Sequence, residues 1–173
     1  MKLSLLLILI TFLIVVDSSA QSQITAVNNE ELSSATIEKN IIIPCQYFVN
    51  SYKRENGKSF FTTKDSCHLE FDFFTANKLS FFDSNQTSDE TITSYINWLS
   101  KNKHALKDVK YSKVDENTKD DYIIYNIKDA LEEYYQLLAI ENNVLISIKI
   151  VDHKMAIDNQ LERLKVLYEF NKD

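Results

Sequence analysis

Few residues in this chain have the chemistry to attack a substrate or hold an ion, and their spacing decides how each is read. His68, His104 and His153 are its three histidines. They fall on three different elements, none with a second ligand at metal-binding spacing, so they read as surface histidines and no metal residue is assigned. Cys67 and His68 set a thiol beside a base, but neighbours on a strand point to opposite faces, which argues against a nucleophilic pair. Asp115, Glu116, Asn117, Asp120 and Asp121 form the densest acidic stretch. It lacks the glycine and terminal glutamate of a calcium loop and is interrupted by Lys119, so a solvated turn is expected. The chain has one glycine, Gly57, which excludes glycine-rich phosphate and dinucleotide loops. No catalytic or cofactor-binding residue is assigned and no cofactor is expected. Asn85-Gln86-Thr87 is a glycosylation sequon with meaning only in a eukaryotic source.

Those residues sit in a chain whose beginning has the form of an export signal. Lys2 is followed by an apolar run from Leu3 to Val16 and by Ser18-Ser19-Ala20 at the cleavage positions. The run falls short of the about 20 apolar residues that a spanning helix needs. Residues 1–20 are therefore expected to be a cleavable signal peptide, with residues 21–173 forming a single domain that is periplasmic or secreted. No later segment is apolar enough to span a membrane. In an oxidising compartment the two cysteines, Cys45 and Cys67, are expected to pair. Such a bridge would add about 3 kcal/mol through loop closure; the alternative is two buried free thiols on separate strands. The formal charge of −6 is spread along the chain, which counts against nucleic acid as a partner. A protein or small-molecule partner stays open.

Periodicity supplies the elements. Ile157, Leu161, Leu164 and Tyr168 share one stripe, so an amphipathic helix is expected over Met155–Phe170. Tyr134–Ile140 and Val144–Val151 read as a hairpin about Glu141-Asn142-Asn143, and Tyr122–Ile127 as a further strand. Thr87-Ser88-Asp89-Glu90 has the form of a capping box, with a helix running from it to about Lys107. Cys67–Phe74 alternates as a half-buried strand, with which Leu79–Phe82 is a candidate to pair. Asn40–Tyr52 is ambiguous: Pro44 either ends a strand or opens a helix carrying Phe48 and Tyr52.

The order of elements resembles the PsbP-like domains. Asn40-Ile41-Ile42-Ile43-Pro44 stands as the opening strand, Ser88 starts the capped helix, and Glu133-Tyr134-Tyr135-Gln136 leads through the last hairpin into a terminal helix. At that hairpin Asn142-Asn143 replaces the family's usual glycine. The resemblance covers most of residues 21–173 and implies an α+β fold, an antiparallel sheet covered by helices as an α/β/α sandwich. It also implies binding or assembly roles outside the cytoplasm, with no catalytic residue. A second resemblance, to the nuclear-transport-factor-like (SnoaL-like) fold, implies a first long helix over Ile37–Arg54 and a conical pocket with polar groups such as His68 or Asp72.

Nine tyrosines and ten phenylalanines leave adjacent aromatic pairs along the strands. Tyr134, Tyr135, Phe73 and Phe81 are thus candidates for an exposed interaction patch, or for burial beneath a helix on each face. The expected role is an exported, non-enzymatic binding or interaction module. The alternatives are a pocket protein that binds or acts on a small molecule, and an immunity-type protein that neutralises a toxin.

Overall fold

A computed structural model describes residues 32, 34–102, 109–117, 121–152 and 154–172. The expected signal peptide, the domain start at Gln21, His104, His153 and Asp120 lie outside the described residues.

Seven strands form one antiparallel sheet: β1 (Val49–Glu55), β2 (Lys58–Thr63), β3 (His68–Thr75), β4 (Lys110–Asn117), β5 (Tyr122–Lys128), β6 (Glu133–Glu141) and β7 (Val144–Val151). Their order across the sheet is β1-β2-β3-β7-β6-β5-β4. Among the described residues, two long helices complete the α+β fold, α1 (Ser88–Asn102) between β3 and β4, and α2 (Ile157–Asn171) after β7. The chain therefore leaves the middle of the sheet at β3, crosses with α1 to the far edge, and returns by a meander until β7 closes against β3.

Tight turns set the register of two hairpins. Asn56-Gly57 (φ 52° and 81°) and Asn142-Asn143 (φ 47° and 63°) both occupy the left-handed region demanded by two-residue turns that match strand twist. Asn-Gly is the stronger signal, and it marks β1–β2, a hairpin that apolar alternation does not reveal because every β1 side chain is exposed. β6 and β7 lie mid-sheet and are buried on both faces, as their near-continuous apolar runs require.

The alternate side chains of those strands feed two apolar clusters. One gathers Leu69, Phe71, Leu137, Ile146 and Ile148 with Leu164, Leu167 and Tyr168 of α2. The other gathers Phe74, Ile123, Leu138 and Leu145 with Ile92, Tyr95, Ile96 and Leu99 of α1. Thr87 caps α1 as its sequence indicates: the Thr87 N–H donates to Glu90 Oε2 at 2.8 Å, and the Glu90 N–H to Thr87 Oγ1 at 3.3 Å. The helix is described as far as Asn102.

The segment before β1 departs from both readings. Neither a strand at Ile41–Ile43 nor a helix over Ile37–Arg54 forms. The chain runs without regular structure to Pro44, makes a 3₁₀ turn at Cys45–Tyr47, and enters β1. Ile37, Ile41, Ile43 and Tyr47 pack on the cluster under α2. Asn171 replaces the missing strand partner: its Oδ1 accepts the Ile42 N–H at 2.8 Å and its Nδ2 donates to the Ile42 carbonyl at 2.8 Å. Leu79–Phe82 is likewise no strand; Leu79, Phe81 and Phe82 pack beside α1.

Both sheet edges are ill suited to adding a strand. β1 is bulged between Val49 and Ser51 and carries Lys53 and Arg54; β4 is bulged between Lys113 and Asp115 and carries Lys110 and Lys113. Bulges and charges of this kind oppose edge-to-edge pairing.

Candidate functional site

The expected disulfide is absent, and both cysteines are free, Cys45 exposed and Cys67 buried. Cys45 sits on the outer 3₁₀ turn, whereas Cys67 is part of the cluster beneath α2, its Sγ 4.0 Å from the His68 carbonyl. Burial raises the Cys67 pKa to about 11 even though Arg163 stands beside it and favours the thiolate. Arg163 is occupied in tying loops together: it donates to Asp65 Oδ2 at 2.8 Å and lies 4.6 Å from the centre of the Tyr47 ring. Those bonds, with a further one from Thr63, hold the Asp65 carboxyl down at about 2.

The proposed aromatic patch is also corrected. Phe73, Tyr134 and Tyr135 are 3%, 5% and 8% exposed, and Phe81 is partly buried against Tyr95 and Trp98. Helices and neighbouring strands cover these rings, so they act as core. In the acidic stretch, Asp115–Asn117 is the end of strand β4 and Asp121 lies in a turn. Among the described residues no group of His, Cys, Asp and Glu could hold a metal ion.

A different set of residues is brought together on the face that carries α1. Antiparallel register aligns side chains in rows across the sheet, and three rows matter. Phe60 of β2 stands opposite Glu70 of β3, Glu70 opposite Lys149 of β7, and Lys149 opposite Gln136 of β6. On one side of this row lies Thr62, His68 and Val151; on the other lies Asp72 opposite Ser147, with Lys58 reaching in from the start of β2. The apolar cluster beneath α1 begins beyond them, at Phe74, Leu138 and Leu145. Phe60, Thr62, His68, Glu70, Lys149 and Val151 stay at least partly exposed beyond that helix, whereas Asp72, Ser147 and Gln136 are buried.

Between them is a cleft of about 270 Å³, lined chiefly by Phe60, Thr62, His68, Glu70, Glu132 and Lys149. Its charges are held in place. Lys149 Nζ donates to Glu132 Oε2 at 2.7 Å and stands 3.8 Å from the centre of the Tyr134 ring. Glu132 is fixed by the Asp129 carboxylate, which accepts its N–H at 2.7 Å. His68 Nδ1 and Thr62 Oγ1 are 3.1 Å apart. Gln136 donates to Ser147 Oγ at 2.7 Å inside the sheet.

At the edge of the cleft two carboxylates share one ammonium. Lys58 Nζ donates to Glu70 Oε1 at 2.6 Å and to Asp72 Oδ2 at 2.9 Å. Burial opposes the Lys58 charge, but the two carboxylates outweigh it and raise its pKa. Asp72 is 4% exposed, and its Oδ1 is buried with no hydrogen-bond partner among the described residues. Its pKa is raised to about 6, first by burial and then by the Glu70 charge, against the attraction of Lys58.

Of the residues singled out in the sequence, His68 and Asp72 thus fall at this site. Lys58, Glu70, Glu132 and Lys149 were missed. Glu70 and Lys149 sit in the polar phase of alternating strands, where a solvated face is the ordinary reading. The neutral alternation of His68, Glu70 and Asp72 says nothing of which lysines will face them.

No family model matches the chain, and no curated protein matches it. Among solved structures it is similar to a putative uncharacterized protein from Bacillus thuringiensis, at 10% identity and a TM-score of 0.20, over 71% of this chain and 69% of that one.

Proposed function

We propose that this chain is an exported, non-enzymatic binding module that takes its ligand in the cleft between β2, β3 and β7. The observation that carries this reading is a concave surface whose opposite charges are fixed before any ligand arrives. Glu70 and Lys149 are positioned by sheet register and Glu132 by the Asp129 turn, so little side-chain freedom is left to lose on binding. Phe60 adds an aromatic wall beside these polar groups, the mixture expected of a small-ligand site. The cleft suits a small polar molecule or one side chain of a protein partner.

Chemistry on a bound molecule is not favoured here. Cys67 lies under α2 on the opposite face from His68, and Asp72 lies below the cleft beside Lys58. In architecture we read the helices on either face as an α/β/α sandwich of the PsbP-like kind, consistent with a binding role outside the cytoplasm.

The test is a ¹⁵N–¹H NMR titration of the purified protein against small amines, carboxylates, free amino acids and short charged peptides. Binding is expected to shift amides of Phe60, Thr62, His68, Glu70 and Lys149 together. If no member of the panel moves them, or shifts cluster on another face, the cleft is not the binding surface.

A further inference from the structure

The Lys58, Glu70 and Asp72 cluster adds a side-chain tie to the pairing of β2 with β3, which runs over Ser59–Thr62. Lys58 is the first residue after the Asn56-Gly57 turn, so its ammonium ties the turn end of the β1–β2 hairpin to β3. Outside that tie, β2 is bounded on its other side by β1, whose side chains are all exposed. The main helix contacts are made with β5, β6 and β7, away from the hairpin. Phe60 and Thr62 of β2 are also one wall of the cleft.

The charges do not balance inside the cluster. One ammonium faces two carboxylates, and the more buried carboxylate keeps an oxygen without a hydrogen bond. The surrounding groups do not supply the missing positive charge. On β7, Lys149 is held by Glu132. On β3, His68 turns to Thr62. From α1 and β6, the buried Tyr95 and Tyr134 have raised pKa values and stay neutral; Asp129, in the turn before β6, adds further negative charge. An ionised Asp72 therefore leaves a net negative charge in the interior, and a proton on Asp72 removes it.

We propose that this cluster is a proton-operated clasp on the β1–β2 hairpin: a proton on Asp72 fixes the hairpin wall of the cleft, and its loss lets that wall open. The link to ligand access rests on the binding reading above; the clasp itself does not. Because β2 is bounded outwardly only by an exposed strand, lifting the hairpin is the smallest movement that lets water reach Asp72. Since the carboxyl titrates near 6 in the folded chain, against 3.8 when unperturbed, opening should become up to about 25-fold more populated as pH rises from 4.5 to 7.5.

The experiment is native-state amide hydrogen exchange on the full protein at pH 4.5 and pH 7.5, corrected for intrinsic exchange rates and repeated at low denaturant. β2 amides are expected to exchange through a denaturant-insensitive local opening, with protection falling by up to about 25-fold at the higher pH. β5 and β6 amides should remain better protected than β2 at both pH values. In Asp72→Asn the β2 dependence should flatten. In Glu70→Gln, which leaves Lys58 and Asp72 as a simple pair, the midpoint should move to lower pH. Equal β2 protection at both pH values, β2 exchange only through global unfolding, or an unchanged profile in both variants overturns the clasp. None of these outcomes depends on a ligand, so the clasp and the binding reading fail separately.

Discussion

Replacing Asn171 by alanine should release the segment before β1 from the body of the protein. Asn171 is 2% exposed at the end of α2, and its side chain makes three hydrogen bonds: two to the Ile42 backbone and one, of 2.7 Å, to the Leu167 carbonyl. The Leu167 carbonyl lies in the last turns of the helix, and its loss counts least. Each bond to Ile42 contributes about 0.5–1.5 kcal/mol net, because Ile42 is exposed and water can replace the amide. Fraying of Ile41 and Ile43 from the core adds to this, giving on the order of 2 kcal/mol. For a chain of this size that is a fall in Tm of about 4–8 °C. Asn171→Asp should be at least as damaging, since it keeps the acceptor for the Ile42 N–H but aims a carboxylate at two carbonyls. Lys39→Met, which removes a bond to the Asn171 backbone carbonyl and the ammonium over the Phe73 ring, should cost less. Urea unfolding gives the global figure and hydrogen exchange at Ile42 the local one. If Asn171→Ala stays within about 0.5 kcal/mol of the wild type, the side chain is not standing in for a strand and the clamp is wrongly assigned.

Four further outcomes follow from the same structure. The folded pKa of Asp72 is raised, so its contribution to stability is complete below 3.8 and lost as pH rises through about 6. Wild-type stability should therefore drop by about 2 kcal/mol from this group between pH 4 and pH 7, and Asp72→Asn should remove that drop, as read by urea unfolding across the range. Asp65, whose pKa is lowered to about 2, contributes in the opposite sense, losing its stabilisation as pH falls from 3.8 toward 2. Gly57→Ala should cost about 1–2 kcal/mol: φ is +81°, and a Cβ would stand 2.4 Å from Thr36 Cγ2. Adding Thr36→Ala should recover only the part due to the clash, a difference that thermal melts of the single and double variants can resolve. Finally, a thiol-specific reagent should modify Cys45 in the native protein quickly and Cys67 only on unfolding; equal rates would contradict the burial of Cys67.

Much of the sheet was legible because alternation and helical spacing are local consequences of burying one face of an element. The strands near Tyr122, Tyr134 and Val144, the hairpin between the last two, the cap at Thr87 and the stripe of Leu161, Leu164 and Tyr168 all follow from residues close in the chain, whereas Ile157, expected on that stripe, is exposed. β1 and β4 were not legible in the same way, because edge strands are largely exposed and their charges break the alternation. What only the tertiary structure decided is which distant segments face one another. Closure of β7 on β3 sets Glu70 against Lys149, places Asp72 beside Ser147, and gives Lys58 two carboxylates to hold. It also buries Cys67 and most of the candidate aromatics in the core, while Cys45 stays exposed. The sequence determines that β3 has a polar phase, since that requires only a period of two. Whether that phase meets solvent or another charge depends on long-range register, which no local pattern encodes.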